Sequence, residues 1–312
     1  MESPGGGGTD ARLLRTLLVL GDELHVGRAA QRLHLTQPAV SKQLAQLERS
    51  TGLVLFIRHP RGLTPTDAGR LLVERARHVV EQVDAFDGVA ARARRSISGR
   101  LVLGFVGQAA NELTPGLLRD YRLVHPDVVV ELRQHDMANL TAGLTSGESD
   151  LALLRLPVSL GTPPLVHEPV LVEPRVAVLP AGHRLAEREH VALAELFDEP
   201  WLVSASGDPV YQDFALETAA RAGVPAQRGP TVRNVDEYLE YVLAGAGIGL
   251  APASAARYYA RPGIVYVSVP DARPSVCALS WLCDARLGPP AAAMVELVRR
   301  RAPESVAGLP AA

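Results

Sequence analysis

The chain reads as a multidomain protein: a small all-α winged helix-turn-helix domain at the N-terminus, a long linker helix, and a larger α/β domain of two subdomains. Three observations predict this. Residues 26–48 write a helix, a tight turn and a second helix in one line. Residues 67–95 contain no proline and repeat apolar side chains at steps of four and three. From Arg100 onward, apolar strand runs alternate with helical segments. Length agrees, since 312 residues of which 47% are apolar can supply two cores.

Residues 1–9 are Gly-rich and contain no charged segment leading into an apolar one, and nowhere does an apolar run reach 18 residues. They are expected to be a disordered tail, as are residues 306–312. Neither a signal peptide nor a membrane span is indicated, so the expected location is the cytoplasm. Residues 10–66 form the expected winged helix-turn-helix. Its first motif helix, 27–34, turns Ala29, Ala30 and Leu33 inward, and the turn falls at Leu35. Thr36 is placed to cap the second helix, and Pro38 fits a first turn whose amides lack an intrahelical partner. Val40, Leu44 and Leu47 form the stripe that holds this helix on its domain. Gln37, Ser41, Lys42 and Gln43 are left pointing outward, the half of a recognition helix that meets the major groove, where Gln and Lys donate to base edges and Ser reaches phosphate. The alternative is a solvated helix with ordinary polar residues. Residues 55–66, LFIRHPRGLTPT, weigh against it: apolar anchors followed by a short basic Pro/Gly segment have the pattern of a hairpin wing, with Arg58 and Arg61 as the phosphate or minor-groove candidates.

Charge is distributed to match. Residues 1–100 hold 15 Lys/Arg against 10 Asp/Glu, or +5, and the remainder 17 against 24, or −7. A basic end on an acidic body fits a DNA-binding domain attached to something else. Lys42 is the single lysine, so the larger domain has none for a Schiff base and no phosphate-binding P-loop can be written.

In residues 67–95, Leu72, Ala76, Val79, Val83, Phe86, Ala90 and Ala93 follow a heptad seam, with Leu72, Val79, Val83 and Phe86 as the dimerisation candidates. The alternative is an amphipathic helix packed on its own body. A linker helix beside a half-site reader gives the two-fold arrangement that palindromic DNA requires, so a homodimer or homotetramer is expected. Residues 96–99 read as a hinge.

The body, 96–305, shows strand runs at 101–106, 128–132, 151–154, 175–179, 201–203, 248–251, 264–267 and 276–282, and helices at 113–124, 139–146, 210–222 and 235–244. Crossings near 166–173 and 267–271 divide it into subdomain I, about 100–168 and 270–302, and subdomain II, about 169–269, with a cleft between them. Ligands of open α/β sheets gather beyond the carboxyl ends of strands. Gln108 and Ala109 follow the first strand, Arg155 follows the 151–154 strand as a guanidinium fork suited to a carboxylate, and Arg233 and Asn234 precede the 235–244 helix. Gln108, Ala109, Arg155 and Asn234, with Met137, Ser204 and Val235, make the expected ligand set. A structural ion pair is the alternative for Arg155, loop capping for Gln108 and Asn234, and packing for Met137.

Other features have plain readings. Cys277 and Cys283 lie six apart, on one face of an unbroken strand, too extended to bridge each other. Gly245, Gly247 and Gly249 follow a helix and precede a strand, the reverse of a nucleotide fingerprint. The nine histidines form no HExxH or Cys/His pairing and residues 204–207 lack the G-x-S-x-G frame, so no metal, cofactor or catalytic residue is expected.

The sequence resembles the LysR-type transcriptional regulators. Arg28-Ala29-Ala30, Leu33, Gln37-Pro38-Ala39-Val40-Ser41, Leu47-Glu48, Gly52, Leu55-Phe56, Arg58, Thr66 and Ala68-Gly69 carry the resemblance, and residues 121–128, 179–186 and 244–252 extend it through most of the chain. Where the family usually places Ser and Thr hydroxyls at the start of the first motif helix, this chain has His25 and Gly27, and His25 or Arg28 is expected to substitute; Pro65 stands where leucine is usual. The resemblance implies double-stranded operator DNA as a partner, dimerisation through the linker helix, and a periplasmic-binding-protein-like effector domain. Within the family it is to the branch that senses small aromatic acids, in which the counterpart of Arg155 binds a carboxylate; that branch commonly has small hydroxyl residues where this chain has Gln108 and Met137. The implied protein is a regulator whose promoter binding is modulated by a small organic or aromatic carboxylate, and not an enzyme.

Overall fold

In the computed structural model, which describes residues 10–60, 62–107, 114–159 and 163–301, the chain divides between Asp87 and Gly88 into two compact units. The first contains α1 Ala11–Glu23, α2 Val26–Arg32, α3 Gln37–Thr51, β1 Phe56–His59 and β2 Gly62–Pro65, and the first two-thirds of α4 Asp67–Ile97. The Asp10 carboxylate starts α1 by accepting from Arg12 N at 2.9 Å. Leu13, Leu17 and Leu20 then line up at helical spacing and pack with Ala29 and Ala30 of α2, Val40, Leu44 and Leu47 of α3, and Ala76 of α4. The wing β1–β2 is an antiparallel hairpin with Arg58 opposite Leu63. Two hydrogen bonds seat it: the Glu48 carboxylate accepts from Leu55 N, and the Leu24 carbonyl accepts from Leu63 N, each at 2.8 Å. Thr66 then caps α4, its hydroxyl accepting from Gly69 N at 2.9 Å and donating to Val54 O at 2.8 Å.

At 31 residues α4 is about 46 Å long at 1.5 Å per residue. It extends past residue 95, where the linker was expected to end, to Ile97. Its apolar residues serve two faces rather than one seam. Ala76 and Val80 are buried and Leu72 half-buried on the unit's own side, because the packing face is rotated from the heptad line. Val79 and Phe86 stay 48% and 74% exposed.

The second unit comprises β3 Arg100–Val106, α5 Thr114–Val124, β4 Val129–His135, β5 Leu151–Leu156, β6 Leu165–Glu173, β7 Arg175–Pro180, β8 Trp201–Ser204, α6 Pro209–Ala215, β9 Arg228–Val232, α7 Val235–Leu243, β10 Gly249–Pro252, α8 Ala255–Tyr258, β11 Ile264–Ser268, β12 Ser275–Leu282 and α9 Pro289–Arg301. One five-stranded sheet has the order β4-β3-β5-β12-β6, with β3 parallel to β4 and β5, and β12 antiparallel to β5 and β6. A three-stranded sheet, β10-β7-β11, is antiparallel throughout, and β8 pairs with β9 in parallel. The chain passes between the two regions twice, at Pro174 and between β11 and β12. Helices α5 and α9 cover one face of the larger sheet, where Leu117, Tyr121, Met294 and Val298 pack on Leu101, Leu103, Leu151 and Leu279.

Several expectations require correction. Residues 139–146 form a series of turns, not a helix, because Ala142 and Gly143 both adopt positive φ, 48° and 79°. The expected 210–222 helix stops at Ala215 and resumes as a 3₁₀ turn, Thr218–Arg221, after Glu217 adopts φ 51°. Strands β6 and β9 and helices α8 and α9 had no counterpart in the sequence reading. Cys277 is buried in β12, its thiol pushed up to about 11 by desolvation, while Cys283 lies beyond the strand end and is exposed, so the two do not share a strand face.

The C-terminal third of α4 is fastened to the larger sheet. Gly88 and Gly147 approach so closely that a Cβ on Gly147 would lie 1.9 Å from Gly88 Cα. Beyond this contact the buried Asp150 carboxylate accepts from Arg95 Nε at 3.1 and 3.0 Å, from Arg95 Nη2 at 2.7 Å and from Val102 N at 2.8 Å. Removing one member of a buried, hydrogen-bonded pair leaves the other charge uncompensated, so Asp150→Ala should cost about 3 kcal/mol. Urea denaturation followed on the C-terminal unit checks this; a loss below about 1 kcal/mol, the ceiling for exposed pairs, would deny the pair its anchoring role.

Candidate functional site

The N-terminal unit presents one helix for reading. His25 begins α2, its Nδ1 accepting from Gly27 N at 3.0 Å and Arg28 N at 3.4 Å, so an imidazole does the capping that a hydroxyl does elsewhere. Arg28 is turned back on Glu23, 3.3 Å between Nε and Oε2. Thr36 Oγ1 accepts from Ala39 N at 3.3 Å and starts α3, with Pro38 in its first turn. Val40, Leu44 and Leu47 anchor the buried side. Gln37, Pro38 and Lys42 are exposed and Ser41 is half-buried on the other. Gln43 departs from the expected outward face, because its side chain accepts from the Thr16 hydroxyl. Arg58 is exposed on the wing, and Arg61 lies outside the described residues. Among the described residues Arg28, Arg32 and Arg77 form ion pairs with Asp22 or Glu23, whereas Lys42 and Arg58 form none.

The second unit has a partly open cavity of about 130 Å³ between its two regions. Its wall combines the ends of β3 and β5 with Met137 and Leu140 from one region, and β8, α6, β9, α7 and β10 from the other. The wall is apolar for the most part, formed by side chains such as Leu140, Leu202, Val232 and Val235. Of the expected ligand set, Met137, Arg155, Ser204 and Val235 line it. Asn234 does not line it: its side chain caps α7, Oδ1 accepting from Glu237 N at 2.9 Å. Gln108 and Ala109 lie outside the described residues.

Arg155 is the point at which geometry alters the chemistry. Its Nη1 donates to Glu173 Oε1 at 2.7 Å, both side chains being nearly buried, and lies 3.3 Å from Ser275 Oγ. Glu173 is itself fixed, accepting from Ser254 N at 2.7 Å and from the Ser254 hydroxyl at 3.1 Å. The fork expected to await a carboxylate is held by one from the protein. Arg155 Nε remains buried without a partner.

Two polar wall residues escaped the sequence reading, Tyr211 on α6 and Tyr238 on α7. Tyr238 follows Val235 by three, one helical step on the same face, and this spacing was the available signal. Burial raises the ionisation range of both phenols, with Tyr266 and Tyr211 adding to the effect at Tyr238, so both are neutral hydroxyls at physiological pH. Behind them the buried Arg175 pairs with Glu217, which also pairs with Arg273 at 3.1 Å, and Phe214 lies under both guanidinium groups at 4.1 and 5.0 Å. Desolvation and the neighbouring Arg273 pull Arg175 down to about 10. Two ties cross the cavity's edge: Met137 N donates to Arg233 O at 2.7 Å, and Ser159 donates to Asp208 through its amide and hydroxyl, each at 2.6 Å.

A recognition helix with a wing in one unit, and a cavity between two α/β regions in the other, meet the two parts of one family. Residues 11–70 match the family described as "Bacterial regulatory helix-turn-helix protein, lysR family", and residues 94–303 match the "LysR substrate binding domain". The chain belongs to the LysR family. It is a DNA-binding transcriptional regulator with an effector-binding domain, not an enzyme. The HTH-type transcriptional regulator AlsR of Bacillus subtilis is 33% identical, over 80% of this chain and 82% of its own length. CatR of Pseudomonas putida, another HTH-type transcriptional regulator, is 33% identical over 84% and 89%. Among solved structures, full-length CbnR complexed with its target DNA covers 95% of this chain and 100% of its own, at 24% identity and a TM-score of 0.52, a likeness of fold. Among the described residues no helix is long and apolar enough to cross a membrane, and no cluster of His, Cys, Asp and Glu could hold a metal ion.

In this LysR-family chain Lys42 is the one exposed lysine on the α3 face and is unpaired among the described residues. Lys42→Ala should weaken binding to its upstream DNA and make the dependence of log K on log salt shallower by about 1, as for the loss of one phosphate contact. Fluorescence anisotropy across a salt series reads both; an unchanged slope and affinity would remove Lys42 from the interface.

Proposed function

We propose that this regulator binds two half-sites as a homodimer, or as a tetramer built from such dimers, and that a small organic molecule in the 130 Å³ cavity shifts its arrangement on DNA. The observation that carries the reading is α4: a single unbroken helix begins in the unit that holds the reader and ends fastened, through Arg95 and Asp150, to the sheet whose strand β5 walls the cavity. The working division is residues 10–66 for the reader, 67–95 for the linker and 96–305 for the effector domain. In it Arg28, Thr36, Gln37, Pro38, Ser41 and Lys42 form or position the groove-facing surface, and Arg58 and Arg61 follow the phosphate backbone.

The exposed apolar residues of α4 support the dimer. Leu71, Val79, Phe86 and Val89 are more than two-fifths exposed on one helix, a face that an isolated chain leaves in water. Leu72 and Val83, expected on the same seam, are half-buried and flank it. As for the effector, an organic or aromatic carboxylate would have to compete with Glu173 for the Arg155 guanidinium. In this reading Arg155 serves as part of the cavity wall, held by Glu173.

Footprinting on the upstream DNA at fixed salt, with and without a panel of single-ring acids and their uncharged counterparts, tests the function. Two protected half-sites whose length or bend changes with one compound are expected; specific binding indifferent to every compound would withdraw the effector. Phe86→Glu, placing a charge on the 74% exposed position, should shift the dimer to monomer in sedimentation and reduce the footprint to one half-site, with the fold intact. An unchanged sedimentation coefficient would exclude this face from the dimer.

A further inference from the structure

Resting on that reading of the cavity, we infer that helix α6 is the element through which an occupant acts. It joins the cavity wall to both chain crossings, so that pressure on Tyr211 and Ala215 changes how far the two regions of the effector unit stand apart. Tyr211 and Ala215 are four residues apart and share the face that lines the cavity. The two ends of the helix are held elsewhere. At the start the buried Asp208 carboxylate caps it, accepting from Val210 N at 2.9 Å and from Tyr211 N at 3.2 Å. The same carboxylate accepts from the amide and hydroxyl of Ser159, which follows β5 in the region of the five-stranded sheet.

Arginines grip the other end. A seven-residue helix leaves its last carbonyls short of intrahelical donors, and guanidinium groups suit its negative end. Arg273 Nη2 donates to Asp213 O at 3.0 Å, Arg175 Nη1 to Phe214 O at 3.4 Å and Arg221 Nε to Leu216 O at 2.8 Å. Two of the three stand on the crossings, Arg175 directly after Pro174 and Arg273 between β11 and β12, and Arg175 Nε donates to Arg273 O at 2.7 Å. Phe214 lies under both guanidinium groups, and Glu217, 1% exposed, pairs with both. Glu217 has φ 51°, a left-handed backbone that a non-glycine residue keeps only where its surroundings hold it. That grip begins two residues before Ala215 of the cavity wall and ends two residues after it. At about 10 Å long, α6 is too short to absorb a displacement by bending, so a shift at its middle reaches its ends.

Hydrogen exchange on the full-length protein tests this without a ligand, because a larger side chain on the wall stands in for an occupant. Ala215→Leu fills part of the cavity from α6, and Val106→Leu fills it from β3. Ala215→Leu should change protection about five-fold at both crossings, residues 172–176 and 269–275, and Val106→Leu should leave them as they are. Arg273→Ala, at a half-exposed position, should cancel the Ala215→Leu response at 269–275, and Arg273→Lys, which keeps a cation beside Glu217, should retain it. Crossings that do not respond, an equal response to Val106→Leu, or a response indifferent to Arg273→Ala overturns the inference. Ala215→Val, a smaller addition, is read in the same way if Ala215→Leu does not fold. Footprinting of Ala215→Leu in parallel separates the two claims: crossings that respond while the footprint does not leave α6 in its role and withdraw the regulation proposed for the cavity.

Discussion

Strand β5 is the constraint on which the rest of the effector unit depends. At its start the Asp150 carboxylate gathers Arg95 from α4 and Val102 N from β3; at its end Arg155 reaches the cavity wall. The two positions are five residues apart, about 16 Å along an extended chain. Between them the strand is buried from Leu151 to Leu154 and is flanked by β3 and β12, so it has no slack in which to bend. In the proposed mechanism a displacement at the cavity end would be carried to the residues that hold the linker helix. Packed interiors transmit strain in this way because they switch between discrete arrangements instead of deforming smoothly.

Three buried guanidinium groups are paired with carboxylates, whereas the buried Arg221 donates to the Leu216 and Phe197 carbonyls and lies over the Phe197 and Trp201 rings. Arg95 pairs with Asp150, Arg155 with Glu173, and Arg175 with Glu217, each carboxylate being nearly buried. Such pairs stabilise little by themselves, since desolvation offsets most of their attraction, but they fix geometry. At the cavity wall the consequence is that the Arg155 guanidinium is already held by Glu173. The reader works the opposite way: Lys42 and Arg58 stay in water and unpaired among the described residues, which keeps them available for phosphate and base edges.

Much of this organisation was legible in the sequence because it was written locally. Thr36, Pro38 and the Val40–Leu44–Leu47 spacing specify α3 without reference to any other part of the chain, and the basic Pro/Gly segment marks the wing. Most strands of the effector unit show as apolar runs. Strand β6 did not, because Pro169 interrupts it, and Pro230 masks β9 in the same way. Residues 139–146 have helical spacing, but Ala142 and Gly143 take left-handed backbone conformations that the surrounding packing imposes. The Arg155–Glu173 pair was beyond sequence reasoning for a different reason. Arg155 lies beside Cys277 on one side of β12 and Glu173 opposite Ser275 on the other, so the pair exists only once β12 has taken its register between β5 and β6. Candidate residues at strand ends could be named, but which of them cancel one another depends on tertiary pairing.

The central claim is that the cavity and the linker helix are coupled through β5. Hydrogen exchange on the DNA-bound protein, with and without a ring compound saturating the cavity, measures this most directly. The account predicts that amides of residues 88–97 and 150–156 change protection together with those of the cavity wall. A change confined to the wall, with residues 88–97 unaffected, would contradict it.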